Sequence, residues 1–187
     1  MTSPSGFRLR SPAGAAALAG LVLVVFAAGL RLKRLAVRPP ERLPDLGAIA
    51  PFSARDSRGR TWTNRDLAGG LWLADSVTRE CGGCLARNLR MTDFQTSFSR
   101  APLRLLTFVG DPALAAPGKL AELERAFGAS PDRWIFVAGA PPFPRDAFVL
   151  IDAAGHLRAQ EPESDPALSS KMLDAAGDLL REARPNR

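Results

Sequence analysis

The chain has 187 residues, of which 46% are hydrophobic and 24% are charged, and its formal net charge is +6. This length suits one globular domain with a modest extension. Residues 1–42 hold seven Lys/Arg and one acid, so the excess positive charge lies there, and the rest of the chain is neutral. A neutral domain lacks the electrostatic footprint that binds phosphates, which argues against a nucleic-acid-binding protein.

The first element is an apolar run, residues 13–30, without a single charged side chain. As a helix it would span about 27 Å, just enough to cross a hydrocarbon core of about 30 Å. A cleaved signal peptide is the alternative, although the small residues near its end define no clear cleavage site. We expect an uncleaved single-pass membrane anchor, preceded by a basic N-terminal tail, residues 1–12.

The charges around the apolar run leave its orientation open. Two arginines precede the run and five Lys/Arg follow it before residue 43. Taken literally, the positive-inside rule keeps the C-terminal domain in the cytoplasm, but a short basic tail can also stay inside as a signal anchor. A basic, proline-rich tether, residues 31–50, then leads to a folded domain over residues 51–187.

Strands and helices alternate along this domain. A predicted β-hairpin at its start is followed by apolar strands separated by helical stretches, which predicts an α/β fold with parallel neighbours in the central sheet and helices on both faces. In the first long helix, Leu85, Leu89, Phe94 and Phe98 recur as one face and are predicted to be core. The predicted strands are 52–56, 61–63, 70–77, 103–110, 133–139, 147–152 and 156–160, and the predicted long helices are 84–98, 117–127 and 166–182.

The only two cysteines, Cys81 and Cys84, lie between the first central strand and the following helix. Sites in open α/β sheets form at the carboxyl ends of strands. A thiol at a helix N-terminus also feels the positive end of the helix dipole, which favours the thiolate. We expect Cys81 to be the reactive thiol and Cys84 its resolving partner. Gly82 and Gly83 make the turn between them loose enough for disulfide, dithiol or Cu(I)-bound geometry.

Purely structural roles for the cysteine pair have less support. A structural disulfide closing about four residues contributes only about 2 kcal/mol in the chain-entropy model. A structural zinc site needs four ligands, and the chain has two cysteines and a single histidine, His156. Redox or copper chemistry is therefore the expected function of the pair, because a C-x-x-C motif after a strand is typical of thioredoxin-like proteins.

The chain also resembles a known family over residues 43–182. "VTRECGGC", then Asp111–Pro112, Pro117, Phe127–Gly128 and Trp134, and finally "FVLIDAAG" follow one another as in the Sco/SenC proteins. The resemblance implies a thioredoxin-like domain with an N-terminal β-hairpin, anchored by one transmembrane helix and located on the periplasmic side of the inner membrane. It also implies a role in copper-site assembly of cytochrome c oxidase, with an oxidase copper-site subunit as the partner.

The chain departs from that family at the copper site. The family's cysteines are separated by three residues, not two, and its ligand histidine precedes the penultimate strand, where this chain has "PPFPRD". His156 is expected on a surface hairpin and Met91 in the core, neither as a ligand. Pro144 is either the cis-proline that faces the cysteines in thioredoxin-like folds or, as we favour, an ordinary loop proline.

Two functions follow from these observations. The favoured one is a thiol-disulfide oxidoreductase in which Cys81 attacks and Cys84 resolves, acting without a required cofactor on a cysteine-containing partner protein. The alternative is a carrier that binds Cu(I) through Cys81 and Cys84 without net redox change. A peroxiredoxin-like enzyme is less favoured: Thr78 matches that family's threonine, but Ala74 stands where its proline is expected.

Overall fold

The computed structural model describes residues 42–77 and 84–183, and the backbone alone over residues 84–88. All of them belong to the compact unit Pro40–Arg187. The predicted tail, the apolar anchor and the tether before residue 42 lie outside the described residues. Within the described ranges, no helix has both the length and the hydrophobicity that crossing a membrane requires.

The described elements follow the predicted order closely. An N-terminal hairpin and a single helical turn come first, and three central strands then alternate with two helices before a second hairpin and a closing helix. The elements are β1 (Ser53–Asp56), β2 (Thr61–Thr63), α1 (Asn64–Leu67), β3 (Leu71–Val77), α2 (Cys84–Ser97), β4 (Leu103–Val109), α3 (Pro117–Ala126), β5 (Trp134–Ala138), β6 (Ala147–Ile151), β7 (Leu157–Pro162) and α4 (Leu168–Glu182).

The seven strands form one sheet in the order β2-β1-β5-β4-β3-β6-β7. Strands β3, β4 and β5 run parallel, with Leu71 opposite Leu103 and Val77 opposite Val109 at the two ends of the β3–β4 pairing. The N-terminal hairpin joins β5 antiparallel, and the β6–β7 hairpin joins β3 antiparallel. The predicted parallel centre is therefore confirmed, with antiparallel hairpins on both sides.

The three longer helices cover one face of the sheet. The core on that face combines α2, α3 and α4 with alternate residues of the central strands, and its largest side chains include Phe94, Phe136 and Phe148. The chain advances from β3 to β4 to β5 in one direction, so two right-handed crossovers place both connecting helices on the same side. The prediction of helices on both faces is wrong for these helices, because only the single turn α1 lies on the other face.

The second face is covered by irregular chain. Ile49, Trp62 and Leu67 pack there against the other set of strand residues, together with Phe143 from the loop before β6. The indole rings of Trp62 and Trp72 meet edge to face at 5.8 Å between centroids. The chain before β1, the turn α1 and the loop before β6 thus cover this second core.

Helix α2 is rotated relative to the predicted face. Met91 and Phe94 are fully buried and Phe98 packs against the same core, but Leu89 is 57% exposed. The prediction of Leu89 as core is therefore wrong, and Met91 occupies the inner face instead, as expected for a packing residue. The side chain of Leu85 is outside the part of the chain that the structure describes.

A cluster centred on Arg158 fixes Leu43 and Pro44 to the domain at the end of the sheet where β6 turns into β7. The Arg158 guanidinium donates to the carbonyl oxygens of Leu43 (2.7 Å) and Pro44 (3.0 Å) and to the carboxylates of Asp152 (3.1 Å) and Glu182 (2.9 Å). Glu182 in turn accepts the backbone N–H of Leu43 at 2.9 Å. We call these five residues the Arg158 cluster.

Neighbouring carboxylates in this region are held in the ionised form. Burial by itself raises the pKa of Asp152, but hydrogen bonds from the His156 N–H, the Arg158 guanidinium and the Ala154 N–H outweigh it and leave that pKa below its usual range. A hydrogen bond with the His156 ring, at 2.8 Å, lowers the pKa of the exposed Asp45 carboxyl. Carboxylates whose pKa is lower in the folded than in the unfolded state stabilise the fold above the unfolded pKa.

The orientation of α2 can be tested by a matched pair of substitutions. Met91→Ala should lower the free energy of unfolding by about 2 to 5 kcal/mol, because it leaves a cavity in the core. Leu89→Ala should change it by less than about 0.5 kcal/mol. Urea denaturation followed by tryptophan fluorescence measures both, and a larger loss in the Leu89 variant would contradict the orientation described here.

The Arg158 cluster should contribute stability that depends on pH. At neutral pH, Arg158→Ala should lose about 2 kcal/mol, because it leaves two carboxylates without their charged donor. The exposed pair of Lys119 with Glu122 supplies the control, and Lys119→Ala should cost less than about 0.5 kcal/mol.

The pH dependence has a defined sign. The contribution of Asp152 is present above its unfolded pKa and is lost as the pH falls through its lower folded pKa. The stability difference between the wild-type chain and Arg158→Ala should therefore shrink as urea titrations move from pH about 6 to below about 4. A difference that stays constant over that range would exclude the carboxylates as its source.

Candidate functional site

The carboxyl ends of β3, β4 and β5 meet at one edge of the sheet, and the cysteine loop begins there. Strand β3 ends at Val77 and helix α2 begins at Cys84, so six residues connect them. Cys81 and the rest of residues 78–83, Thr78 included, lie outside the described residues, as does the side chain of Cys84. The backbone thus places the second cysteine of the motif at the first residue of α2.

Two helix properties act on a thiol in this position. The first turn of α2 has backbone N–H groups without partners inside the helix, and the helix dipole places a partial positive charge there. Both favour a thiolate over a thiol. The position of Cys84 therefore suits nucleophilic thiol chemistry or binding of a soft metal ion.

The neighbouring strand ends are tied together by backbone hydrogen bonds. Gly110 donates its N–H to the carbonyl of Val77 at 3.0 Å, and Gly139 donates to Val109 at 3.1 Å. Just beyond β4, the carboxylate of the buried Asp111 accepts the N–H of Ala113 at 2.9 Å and so shapes the turn there. The edge that receives the cysteine loop is thus a fixed platform.

The proline-rich loop before β6 is attached to the same edge. The Ser76 hydroxyl donates to the carbonyl of Arg145, and the ring of Phe143 packs edge to face on Phe108 with centroids 5.5 Å apart. Pro144 is exposed and its peptide bond is trans, like every other in the described residues. Our preferred interpretation of Pro144 as a loop proline is therefore confirmed.

A buried carboxyl group that the sequence prediction missed lies two residues before the end of β3. Asp75 is fully buried and accepts a hydrogen bond of 2.6 Å from the hydroxyl of Thr107 on β4. Trp134 on β5 donates its indole N–H to the same hydroxyl at 2.9 Å. The signal was present in the sequence, as one acidic residue within the apolar strand "LWLADSV".

Preformed metal sites are absent from the described residues. No group of three His, Cys, Asp or Glu side chains suited to a metal ion occurs in the described part of the chain. His156 lies next to the β6–β7 turn at the opposite end of the sheet, where its ring contacts Asp45. Met91 is in the core. Both residues are therefore placed as the sequence predicts, His156 on a hairpin and Met91 in the core.

Other residues on which the resemblance to the Sco/SenC proteins rests have packing roles. The ring of Phe127 stacks on Phe136 with an interplanar angle of 3°, and Trp134 contacts both rings. Gly128, at φ +63°, closes α3 in the left-handed region that favours glycine. Phe127, Gly128 and Trp134, which contribute to the family resemblance, therefore pack in the core or end a helix.

The comparison with curated proteins gives one significant relative. No family model matches the chain. A protein of Bacillus subtilis (strain 168) named SCO1 protein homolog is 27% identical over 139 residues, which is 72% of each chain.

Solved structures give the same result for the fold. BsSco, described as a Sco-family cytochrome c oxidase assembly protein with a disulfide switch, aligns with a TM-score of 0.58 and 18% identity over 74% of this chain and 98% of its own. Yeast Sco1 with copper bound aligns with a TM-score of 0.61 and 19% identity, over 76% of this chain and 96% of its own. A putative thiol:disulfide interchange protein DsbE from Chlorobium tepidum aligns with a TM-score of 0.56 and 16% identity, over 74% of this chain and 99% of its own.

The fold is therefore mixed α/β and thioredoxin-like, as predicted. The B. subtilis relative adds a sequence relationship that extends over most of the chain, and the expected order of motifs is present. In sequence the chain is similar to the B. subtilis SCO1 homolog, and in fold it is similar to solved Sco proteins, in agreement with the resemblance to the Sco/SenC proteins that its motifs indicate.

Proposed function

We propose that the chain is a membrane-anchored thiol-disulfide oxidoreductase of the Sco/SenC type. Cys81 would attack a disulfide of a partner protein and Cys84 would resolve the mixed disulfide. The observation that carries this proposal is the position of Cys84 at the first residue of α2, the helix that follows the central strand β3. The partner would be an oxidase copper-site subunit, because Sco proteins are described as cytochrome c oxidase assembly proteins.

The sequence favours redox chemistry over copper carriage. Two thiolates suit a Cu(I) ion, but the chain has no histidine in the stretch before β6, where the Sco/SenC proteins have their ligand histidine. The C-x-x-C spacing and the structural likeness to a putative thiol:disulfide interchange protein also favour exchange.

Copper transfer is the second candidate, supported by the likeness to yeast Sco1 with copper bound. Copper would then be cargo, held by Cys81 and Cys84 and by a ligand from the receiving protein. The two functions make different predictions for the isolated reduced chain. Thiol-disulfide exchange needs no metal, whereas copper transfer needs a measurable affinity of the chain for Cu(I).

A first experiment tests exchange with dithiobis(nitrobenzoate), a disulfide that releases a coloured thiolate. The reduced wild-type chain should release two thiolates per chain and end as an internal disulfide without adduct. Cys84→Ser should release one thiolate and retain a nitrobenzoate adduct detectable by mass spectrometry, because nothing resolves it. Cys81→Ser should also release one, but more slowly, because Cys81 is the better nucleophile.

An anaerobic Cu(I) titration against a competing chelator is the complementary measurement. Absence of binding, together with two-thiolate release, supports the oxidoreductase. One-to-one binding that is lost in both cysteine variants, with no resolution of the adduct by wild type, would contradict it and favour the carrier. Fusions of a reporter active only in the periplasm, placed after residue 43, test the proposed anchor and its orientation.

A further inference from the structure

Two neighbouring cavities lie at the amino-terminal ends of β4 and β5, beside the turn that joins β1 to β2. Their volumes are about 380 Å³ and about 290 Å³, and Arg104 and Asp132 line both of them. The larger volume is within the range of small-molecule sites. Arg104, on β4, and Asp132, just before β5, are both exposed. We call the two cavities together the Arg104 groove.

The charged side chains that line the Arg104 groove balance one another. Four are arginines and four are acidic residues, so the groove is neutral overall. Arg60 and Asp66 form an ion pair at 2.9 Å. The carboxylate of Glu124 accepts a hydrogen bond of 2.9 Å from the hydroxyl of Ser57. A ligand with a large net charge would therefore gain little from the groove as a whole.

Two more of the charged side chains are used by the fold. The carboxylate of Asp56 accepts the indole N–H of Trp62 and two backbone N–H groups of the β1–β2 turn. The guanidinium of Arg133 donates to the carbonyl oxygens of Ser99 and Ala101, between α2 and β4. Neither side chain is therefore free to bind a ligand.

Three charged side chains of the groove have no hydrogen-bonding partner among the described residues: Arg58, Arg104 and Asp132. The Arg104 guanidinium lies over the indole of Trp72, 5.4 Å from the ring centroid. Packing on an aromatic ring positions a guanidinium and leaves its N–H groups available at the edge. Two available guanidinium groups and one available carboxylate, in a groove that is neutral overall, suit a ligand that has both an anionic and a cationic group.

We infer that the Arg104 groove binds a phosphate diester that carries an ammonium group. The phosphate contacts Arg58 and Arg104, which both line the smaller cavity, and the ammonium contacts Asp132. Guanidinium groups bind phosphate oxygens through paired N–H donors, and a carboxylate accepts hydrogen bonds from an ammonium group. Such a diester is neutral overall, as the groove is.

This chemistry is that of an ethanolamine phosphate headgroup. The headgroup occurs in a phospholipid of a bilayer and in the water-soluble ester glycerophosphoethanolamine, and the experiment distinguishes these two sources. The inference is independent of the proposed oxidoreductase function, because the groove lies at the amino-terminal ends of the central strands and Cys84 follows the carboxyl end of β3.

Two tryptophans beneath the groove provide a direct signal for binding. Trp62 lies under the guanidinium of Arg60, 4.2 Å from the ring centroid, and Trp72 lies under that of Arg104. Trp134 packs in the core on the other face of the sheet. A ligand that moves a guanidinium relative to its indole should change the emission of the first two tryptophans and leave that of Trp134 constant.

The experiment is a titration of the whole chain in a mild non-ionic detergent with glycerophosphoethanolamine, followed by tryptophan fluorescence and by calorimetry. The wild-type chain should bind one molecule, about tenfold more tightly than glycerophosphoglycerol, which lacks the ammonium group. Arg104→Gln should weaken binding of both esters by about tenfold or more. Asp132→Asn should weaken binding of glycerophosphoethanolamine alone and so remove the preference.

Arg100→Gln is the matched control. Arg100 is an exposed arginine just before β4 that lines neither cavity, so its loss should leave both affinities unchanged. Calorimetry reports on Arg104→Gln independently of the altered contact with Trp72. Asp132→Asn touches neither tryptophan contact and keeps the test valid if Arg104→Gln fails to fold, which circular dichroism shows.

The source of the headgroup is tested with the chain in nanodiscs. If the groove takes the lipid, phosphatidylethanolamine nanodiscs should shift the tryptophan emission and abolish the response to the soluble ester, which phosphatidylglycerol nanodiscs should preserve. If it takes the free ester, the response should be the same in both.

Two results would overturn the inference. One is a wild-type chain that responds to neither form of the headgroup. The other is binding that Arg104→Gln and Asp132→Asn leave as unchanged as Arg100→Gln does. Disulfide exchange by the same preparations would continue in either case, so these results leave the proposed function intact.

Discussion

The parallel pairing of β3 with β4 is the constraint on which the rest of the structure depends. Seven consecutive residue pairs, from Leu71 with Leu103 to Val77 with Val109, hold these strands in register. A parallel pair needs a crossover, and right-handed crossovers place α2 and α3 on one face. The same pairing brings the carboxyl ends of the central strands to one edge, so the end of β3, the turn at Asp111 and the loop before β6 meet there.

The two ends of the sheet consequently have different physical characters. At one end, the Arg158 cluster holds Leu43 and Pro44, and backbone hydrogen bonds hold Leu46, Gly47 and Ile49 against the β6–β7 hairpin. At the other end, α2 begins at Cys84, and the buried Asp75 lies two residues before the end of β3. The fixed charges of the Arg158 cluster and the first residue of α2 therefore lie at opposite ends of the sheet.

The sequence was sufficient for the order of elements because apolar runs and turn residues determine strands and helices locally. It was insufficient where tertiary packing decides: Leu89 and Met91 both fit a helical face, and only the position of α2 on the sheet buries Met91. The side on which the helices pack was also missed, because it depends on strand order, which periodicity does not encode. His156 was predicted correctly because a residue after a turn in a hairpin is usually exposed.

Asp75 was missed for a different reason. An acidic residue within an apolar strand has no local explanation, and its partners Thr107 and Trp134 are 32 and 59 positions away in sequence, joined only by the register of three strands. The free-energy cost of burying a carboxyl group is offset here by a hydrogen bond that only the pairing of β3 with β4 supplies, because Asp75 lies directly opposite Thr107 in that pairing. The place of this side chain in the fold is therefore a tertiary property, which no local pattern in the sequence encodes.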